Sequence, residues 1–168
     1  MPDHRAHRGP HPEDPKLFNA ETLPSLRAAV RDLSYLFGHA YAVDSALKVV
    51  GDRYQLSARQ RSAVLRSACA DERVAARTAR RLAPEALRGQ TLCLDGFNVL
   101  TSLEVALSGG VVLIGRDGVL RDIAGVHGSY RQVHETSPAL ELIRELTTAW
   151  GVAKCEGYFD KPVSNSGR

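Results

Sequence analysis

From Ala20 onward, apolar residues return at every third or fourth position. Leu23, Leu26, Ala29, Val30, Leu33, Leu36 and Phe37 form one face of an amphipathic helix. Pro24 suits its first turn and Gly38 its end. A second helix is predicted over Val43 to Val50, with Ala46, Leu47 and Val50 inward and Gly51 as its stop. Ser57-Ala-Arg-Gln60 is a capping-box pattern and opens a third helix with Ala63, Val64, Leu65 and Ala68 inside. Ala70-Asp-Glu reads as the start of a further helix; Leu82-Ala-Pro84 breaks the region and Gly89 closes it. Residues 1–15 are almost free of apolar side chains and carry His4, His7 and His11. The organisation therefore begins with a disordered arm over 1–19, followed by a helical basic domain over 20–89.

At Thr91 the pattern changes. Thr91-Leu-Cys-Leu-Asp95 is a short apolar run closed by Gly96, which reads as a strand buried on both faces. Gly96 lets the backbone turn sharply there and a ligand approach closely. Thr101 to Leu107 is too short to classify. Val111 to Ile114 and Val119 to Ile123 flank an Asp-Gly turn at Asp117 and predict a hairpin, which gives Asp117 a structural reason to exist. A polar, glycine-bearing loop over Gly125 to Glu135 concentrates His127, Ser129, Tyr130, Arg131, His134 and Glu135. Ser137 and Pro138 then read as cap and first turn of a helix to Trp150, with Leu142, Ile143 and Leu146 inward and Gly151 as its stop. Val152 to Phe159 is the next strand, ending in Asp160. The fold class is thus α/β, a helical N-terminal domain followed by a parallel-sheet domain over 90–168. Residues 91–168 amount to 78 positions, few for a sheet covered on both faces, and the last of them read as the entry to a helix. The expectation is a C-terminally truncated chain, or one that completes its sheet with a partner.

Composition changes this picture modestly. A hydrophobic content of 43% and a charged content of 24% are ordinary for a globular chain. No apolar run reaches membrane-spanning length and the N-terminus has no signal-type segment, so the expected location is the cytoplasm. Cys69, Cys93 and Cys155 are widely spaced without a CxxC pair, and read as buried or half-buried thiols in a reducing compartment. The charge is asymmetric: residues 1–90 hold 15 Lys/Arg against 10 Asp/Glu, a net of +5, and residues 91–168 hold 7 against 9, a net of −2. Nine arginines face only three acids between Arg53 and Arg88. On a continuous helix Arg59, Arg66, Arg73, Arg77 and Arg80 would lie within about 60° of one another, a stripe able to track phosphates or simply a solvated face. Eighteen of the 22 basic residues are Arg, which a GC-rich genome would also produce.

Asp95 and Asp160 each end a strand, where polar residues line the ligand crevice of open α/β sheets. Asp95 also suits the cap of the following helix. With Asn98, Ser164, Asn165 and Ser166 close by in sequence, they supply hard oxygen donors of the kind Mg²⁺ or Mn²⁺ takes. Such an ion can activate water and neutralise charge on a phosphodiester. A haloacid-dehalogenase-type phosphatase would need an aspartate two residues before Asp95, where Cys93 stands. No GxSxG elbow, P-loop or GxGxxG fingerprint is present. Cys155 with His134 makes a weak nucleophile pair, since nothing in the sequence brings them together.

Leu94-Asp-Gly-Phe-Asn-Val-Leu100 resembles the first motif of PIN-like (NYN-type) ribonuclease domains. Over about residues 20–168 the chain resembles a prokaryotic family known as domain-of-unknown-function family 434. There, a helical domain like Ala42 to Arg81, with Val-Gly-Asp-Arg-Tyr54 and Leu-Ser-Ala-Arg-Gln-Arg61, precedes a PIN-like domain. Asp160-Lys-Pro-Val-Ser-Asn-Ser-Gly-Arg168 is similar to that family's later motif. The resemblance implies Asp95 and Asp160 as ligands of Mg²⁺ or Mn²⁺, and Glu135 as a third acid. It further implies Asn98, Ser164, Asn165 and Ser166 as phosphate or support contacts, with the last acid of the pattern beyond Arg168. The implied activity is metal-dependent ribonuclease action on RNA held by the arginine face, with no membrane association. Its competitors are a non-catalytic nucleic-acid-binding module and a structural or interaction protein in which both aspartates are caps.

Overall fold

The computed structural model describes residues 6–125 and 130–159, which form two compact units. The first comprises His11–Arg81 and Val111–Ile123. Its helices are α1 (Asp14–Leu17), α2 (Leu23–Gly38), α3 (Val43–Arg53), α4 (Ala58–Ser67) and α5 (Asp71–Ala79). The apolar stripe read from sequence is the core face of α2: Leu26, Ala29 and Leu33 are buried against Ala46 and Val50 of α3 and Val64 of α4. Both bonds of the capping box form, Ser57 Oγ accepting from the Gln60 N–H at 3.3 Å and Gln60 Oε1 from the Ser57 N–H at 3.1 Å. Gly51 does not stop α3 but lies inside it. The Arg61 guanidinium occupies the space a side chain at 51 would fill, and it reaches Asp52 Oδ1 at 2.7 Å and the Leu56 carbonyl at 3.0 Å.

Residues 6–19, read as part of a disordered arm, are instead held by paired charges. Asp14 is buried and receives two hydrogen bonds from Arg59, Nε to Oδ1 at 2.5 Å and Nη2 to Oδ2 at 2.8 Å. The Arg59 hydrogen bonds, outweighing the opposing effect of burial, hold the Asp14 carboxyl below its ordinary value of 3.8. A lowered folded-state value contributes stability that is complete above the ordinary value and is lost as pH falls below it. Arg59→Ala is therefore expected to cost about 2 kcal/mol near neutral pH, reduced from a fully buried pair because Arg59 is partly exposed. In denaturant titrations the gap between wild type and variant should close as pH drops below the carboxylate range.

Strands β2 (Val112–Ile114) and β3 (Leu120–Asp122) pair antiparallel, as the Asp-Gly signal predicted, with Gly118 at φ +73° in the turn. The hairpin groups with the helices and not with the sheet domain, which moves the boundary away from the expected split at 89/90. Charge and backbone bonds explain why. The Arg116 N–H donates to the Ser67 carbonyl at 3.0 Å, its guanidinium to the Cys69 carbonyl at 2.9 Å, and its Nη2 lies 2.7 Å from Asp71. The buried Asp117 carboxylate pairs with Arg121 and Arg77 and is held well below the usual carboxylate range, chiefly by Arg121.

The second unit comprises the described parts of Met1–Pro10, Leu82–Gly110 and Ala124–Arg168. It contains β1 (Thr91–Asp95), α6 (Gly96–Leu107), α7 (Thr136–Ala149) and β4 (Lys154–Tyr158). The strands pair in parallel, from Thr91 opposite Lys154 to Asp95 opposite Tyr158. Among the described residues β1 is not buried on both faces: Leu92 and Leu94 are half-buried, and Thr91, Cys93 and Asp95 are exposed. Because registered partners in a sheet share a face, Cys93 lies with Glu156 and Cys155 with Leu92, on opposite sides. Both thiols are exposed, against the expectation that they would be covered; Cys69 is buried. Thr101 to Leu107, unclassifiable by itself, is the back of α6. Helix α7 begins before the expected Ser137 cap. Thr136 takes the buried place there, its Oγ1 accepting from the Val133 N–H at 3.0 Å and donating to Glu104 Oε1 at 2.5 Å.

Within this unit Arg8 and Glu104 are both closed to solvent. Arg8 Nε donates to Glu104 Oε2 at 2.7 Å and Nη2 to the Arg131 carbonyl at 2.7 Å. The Tyr130 hydroxyl donates to Glu104 Oε1 at 2.6 Å; burial first, and then the Glu104 bond, push its pKa up to about 12.

Candidate functional site

Asp95 occupies the carboxyl end of β1 and is also the N-cap of α6. Its Oδ1 accepts from the Asn98 N–H at 3.4 Å, and its Oδ2 accepts from Asn98 Nδ2 at 2.6 Å. The two readings of this residue are therefore compatible, since the carboxylate caps the helix and stays exposed. It has no ion-pair partner among the described residues. The Asn98 bond turns the amide nitrogen toward Asp95 and leaves the amide oxygen available as a further hard donor. An exposed carboxylate oriented in this way, with no cation among the described residues paired to it, fits the oxygen chemistry of Mg²⁺ or Mn²⁺.

Gly96 was read as a place where a ligand approaches the backbone. The observed reason is a side chain: a Cβ at 96 would meet the Phe159 ring at 2.6–2.8 Å. That ring stands edge-on to Phe97, with centroids 4.9 Å apart. Phe159 immediately precedes Asp160, so the glycine fixes where the chain leaves β4. Gly96→Ala is expected to cost about 1–3 kcal/mol through overpacking. A chemical denaturation curve, with a shift of the Phe159 ring resonances, checks it.

Asp160, Ser164, Asn165 and Ser166 lie outside the described residues, as do His127 and Ser129. Glu135 is the residue before α7, and its Oε1 lies 2.6 Å from His7 Nδ1. Burial pushes its carboxyl up, but the His7 bond and backbone donors outweigh this and the net shift is downward. Its Oε2 is buried with no hydrogen-bond partner among the described residues. The His7 ring stacks on His134 at 4.7 Å. Among the described residues no three His, Cys, Asp or Glu side chains gather into a group able to hold a metal ion. Glu135 pairs with His7, and no such group among the described residues joins it to Asp95.

The expected arginine stripe is divided. Helix α4 ends at Ser67, extended backbone at Ala68 and Ala70 separates it from α5, and the five side chains do not share one helix. Arg59 is committed to Asp14, while Arg80 is the exposed residue after α5. Arg66, Arg73 and Arg77 do come together, lining a hollow of about 500 Å³ with Arg121 and the rings of Phe37 and Tyr41. Arg121 was missed because it sits on a hairpin strand 40 or more positions along the chain; its only local signal was Asp117 four residues before it.

The described residues define a mixed α/β chain with an oriented acid at the end of a parallel strand and, in its helical unit, an arginine-lined hollow. Residues 84–168 match the model described as "Domain of unknown function (DUF5616)", and the chain belongs to that family. Residues 25–80 match the model described as "Protein of unknown function (DUF434)". The uncharacterized protein MJ0935 of Methanocaldococcus jannaschii is 31% identical over 143 residues, covering 85% of this chain and 68% of that protein. No solved structure matches the chain. No helix among the described residues is long and apolar enough to cross a membrane.

Proposed function

We propose that this chain carries a PIN-like, metal-dependent ribonuclease site in which Asp95 and Asp160 hold Mg²⁺ or Mn²⁺. The observation that carries the reading is the parallel pairing of β1 with β4. It sets Asp95 opposite Tyr158, and Asp160 follows Tyr158 by two positions in the sequence. When bound, the ion supplies a nucleophilic water and neutralises charge on the scissile phosphate. Asp95 holds its ligand oxygen in place through Asn98, and Ser164, Asn165 and Ser166 are the phosphate or support contacts. Glu135 is the third acid of the proposal, and would have to exchange His7 for the site. RNA is held by arginines of the helical unit through phosphate contacts.

The test is cleavage of single-stranded RNA by the chain in Mn²⁺, with EDTA as the control. Cleavage that requires the metal supports the reading. RNA bound in a salt-dependent manner but left intact at every metal concentration favours the second reading, a nucleic-acid-binding module without catalysis. That reading draws on the arginine hollow.

A further inference from the structure

The hollow in the helical unit has a composition that the general idea of a basic face does not explain. Four guanidinium groups, Arg66, Arg73, Arg77 and Arg121, line one cavity. The carboxylates that answer them are Asp117, buried and paired with Arg77 and Arg121, and Asp122, whose Oδ2 is 3.6 Å from Arg66 Nη2. Four positive charges against two negative leave the cavity cationic. Arg73 has no ion-pair partner among the described residues. Arg66 Nε is out of contact with water and has no acceptor among them, an arrangement that is costly unless a ligand oxygen completes it.

The rest of the wall is apolar, with Phe37, Tyr41, Val43 and Leu65. Tyr41 is 57% exposed and has no aromatic partner among the described residues. A volume of about 500 Å³ is within the usual range for a small organic ligand and far larger than a lone anion needs. Charge on one part of the wall and an open ring on another suit a phosphate joined to a planar heterocycle, since bases stack on aromatic rings while guanidinium groups hold phosphate.

We propose that this cavity binds a nucleoside monophosphate, its phosphate on Arg66 and Arg73 and its base against Tyr41. The proposal rests on the reading of these arginines as phosphate contacts, and does not involve the metal site. Two sources share this chemistry, a free mononucleotide and the phosphorylated end of a strand.

Calorimetric titration of the chain in EDTA at low salt tests it with AMP, adenosine and inorganic phosphate. AMP should bind at least about tenfold tighter than either of its parts. Arg73→Ala should weaken AMP about tenfold, the value of one charge-assisted contact, and Arg144→Ala, on the exposed face of α7, should not. Tyr41→Ala should bring AMP toward the affinity of phosphate alone. Decamers with and without a 5′-phosphate separate the sources, because preference for the phosphorylated strand supports a strand end and AMP binding without it supports a free nucleotide. AMP bound no better than adenosine or phosphate, or an Arg73→Ala variant that binds AMP as wild type does, overturns the proposal. Salt-dependent binding of both decamers in that case would leave the RNA reading standing, whereas AMP binding without any strand binding would remove the RNA reading alone.

Discussion

Arg8→Ala is expected to cost about 3–5 kcal/mol, because it leaves Glu104 buried with its countercharge gone. Both side chains are fully closed to solvent, and among the described residues Glu104 keeps the Tyr130 and Thr136 hydroxyls as donors once the guanidinium is removed. Two neutral hydrogen bonds do not replace a cation for a carboxylate out of water. The loss should appear in urea unfolding and in faster hydrogen exchange along α6, where Glu104 sits. A double replacement, Arg8→Met with Glu104→Met, should recover most of it, since apolar side chains of similar volume often substitute for a buried pair without penalty. An Arg8→Ala variant within about 0.5 kcal/mol of wild type would mean that the N-terminal segment contributes nothing to the unit.

On the proposed ribonuclease reading, Asp95→Asn is expected to reduce metal-dependent RNA cleavage by about a thousandfold or more, the scale of several kcal/mol of transition-state stabilisation lost with a metal ligand. Stability should change by less than about 0.5 kcal/mol, because asparagine caps a helix about as well as aspartate and can keep accepting from the Asn98 N–H. This separation is what makes the substitution informative. An effect on the fold as large as the effect on cleavage would assign Asp95 to structure alone.

Local signals carried most of the elements. The three-and-four spacing of Leu26, Ala29 and Leu33, the Ser57 and Gln60 cap, and the Asp-Gly turn each depend on neighbours within a few positions, and each formed as read. Long-range charge pairing was not legible. Arg8 with Glu104, Arg59 with Asp14 and Arg77 with Asp117 are 96, 45 and 40 positions apart. In a sequence with 18 arginines nothing marks which ones will be buried. For the same reason the first residues were read as unstructured, since a segment with few apolar side chains gives no periodic signal even when one arginine anchors it. Gly51 and Gly96 were misassigned because a glycine that yields space to Arg61 or Phe159 looks the same, in one dimension, as one that ends a helix or admits a ligand. The site was half readable: Asp95 lies where the strand-end pattern put it, with its Asn98 support. The basic stripe was not, because the break at Ala68 to Ala70 divides it and the hairpin adds Arg121.

Two acids from adjoining parallel strands gripping one divalent ion is the idea on which the enzymatic reading depends. Mn²⁺ titration followed by electron paramagnetic resonance reads it directly, using the chain with Asp95 and Asp160 intact and the two single variants Asp95→Asn and Asp160→Asn. The expected result is one bound Mn²⁺ per chain in the first case and at least a tenfold loss of affinity in each variant. Unchanged Mn²⁺ affinity in both variants would contradict the account.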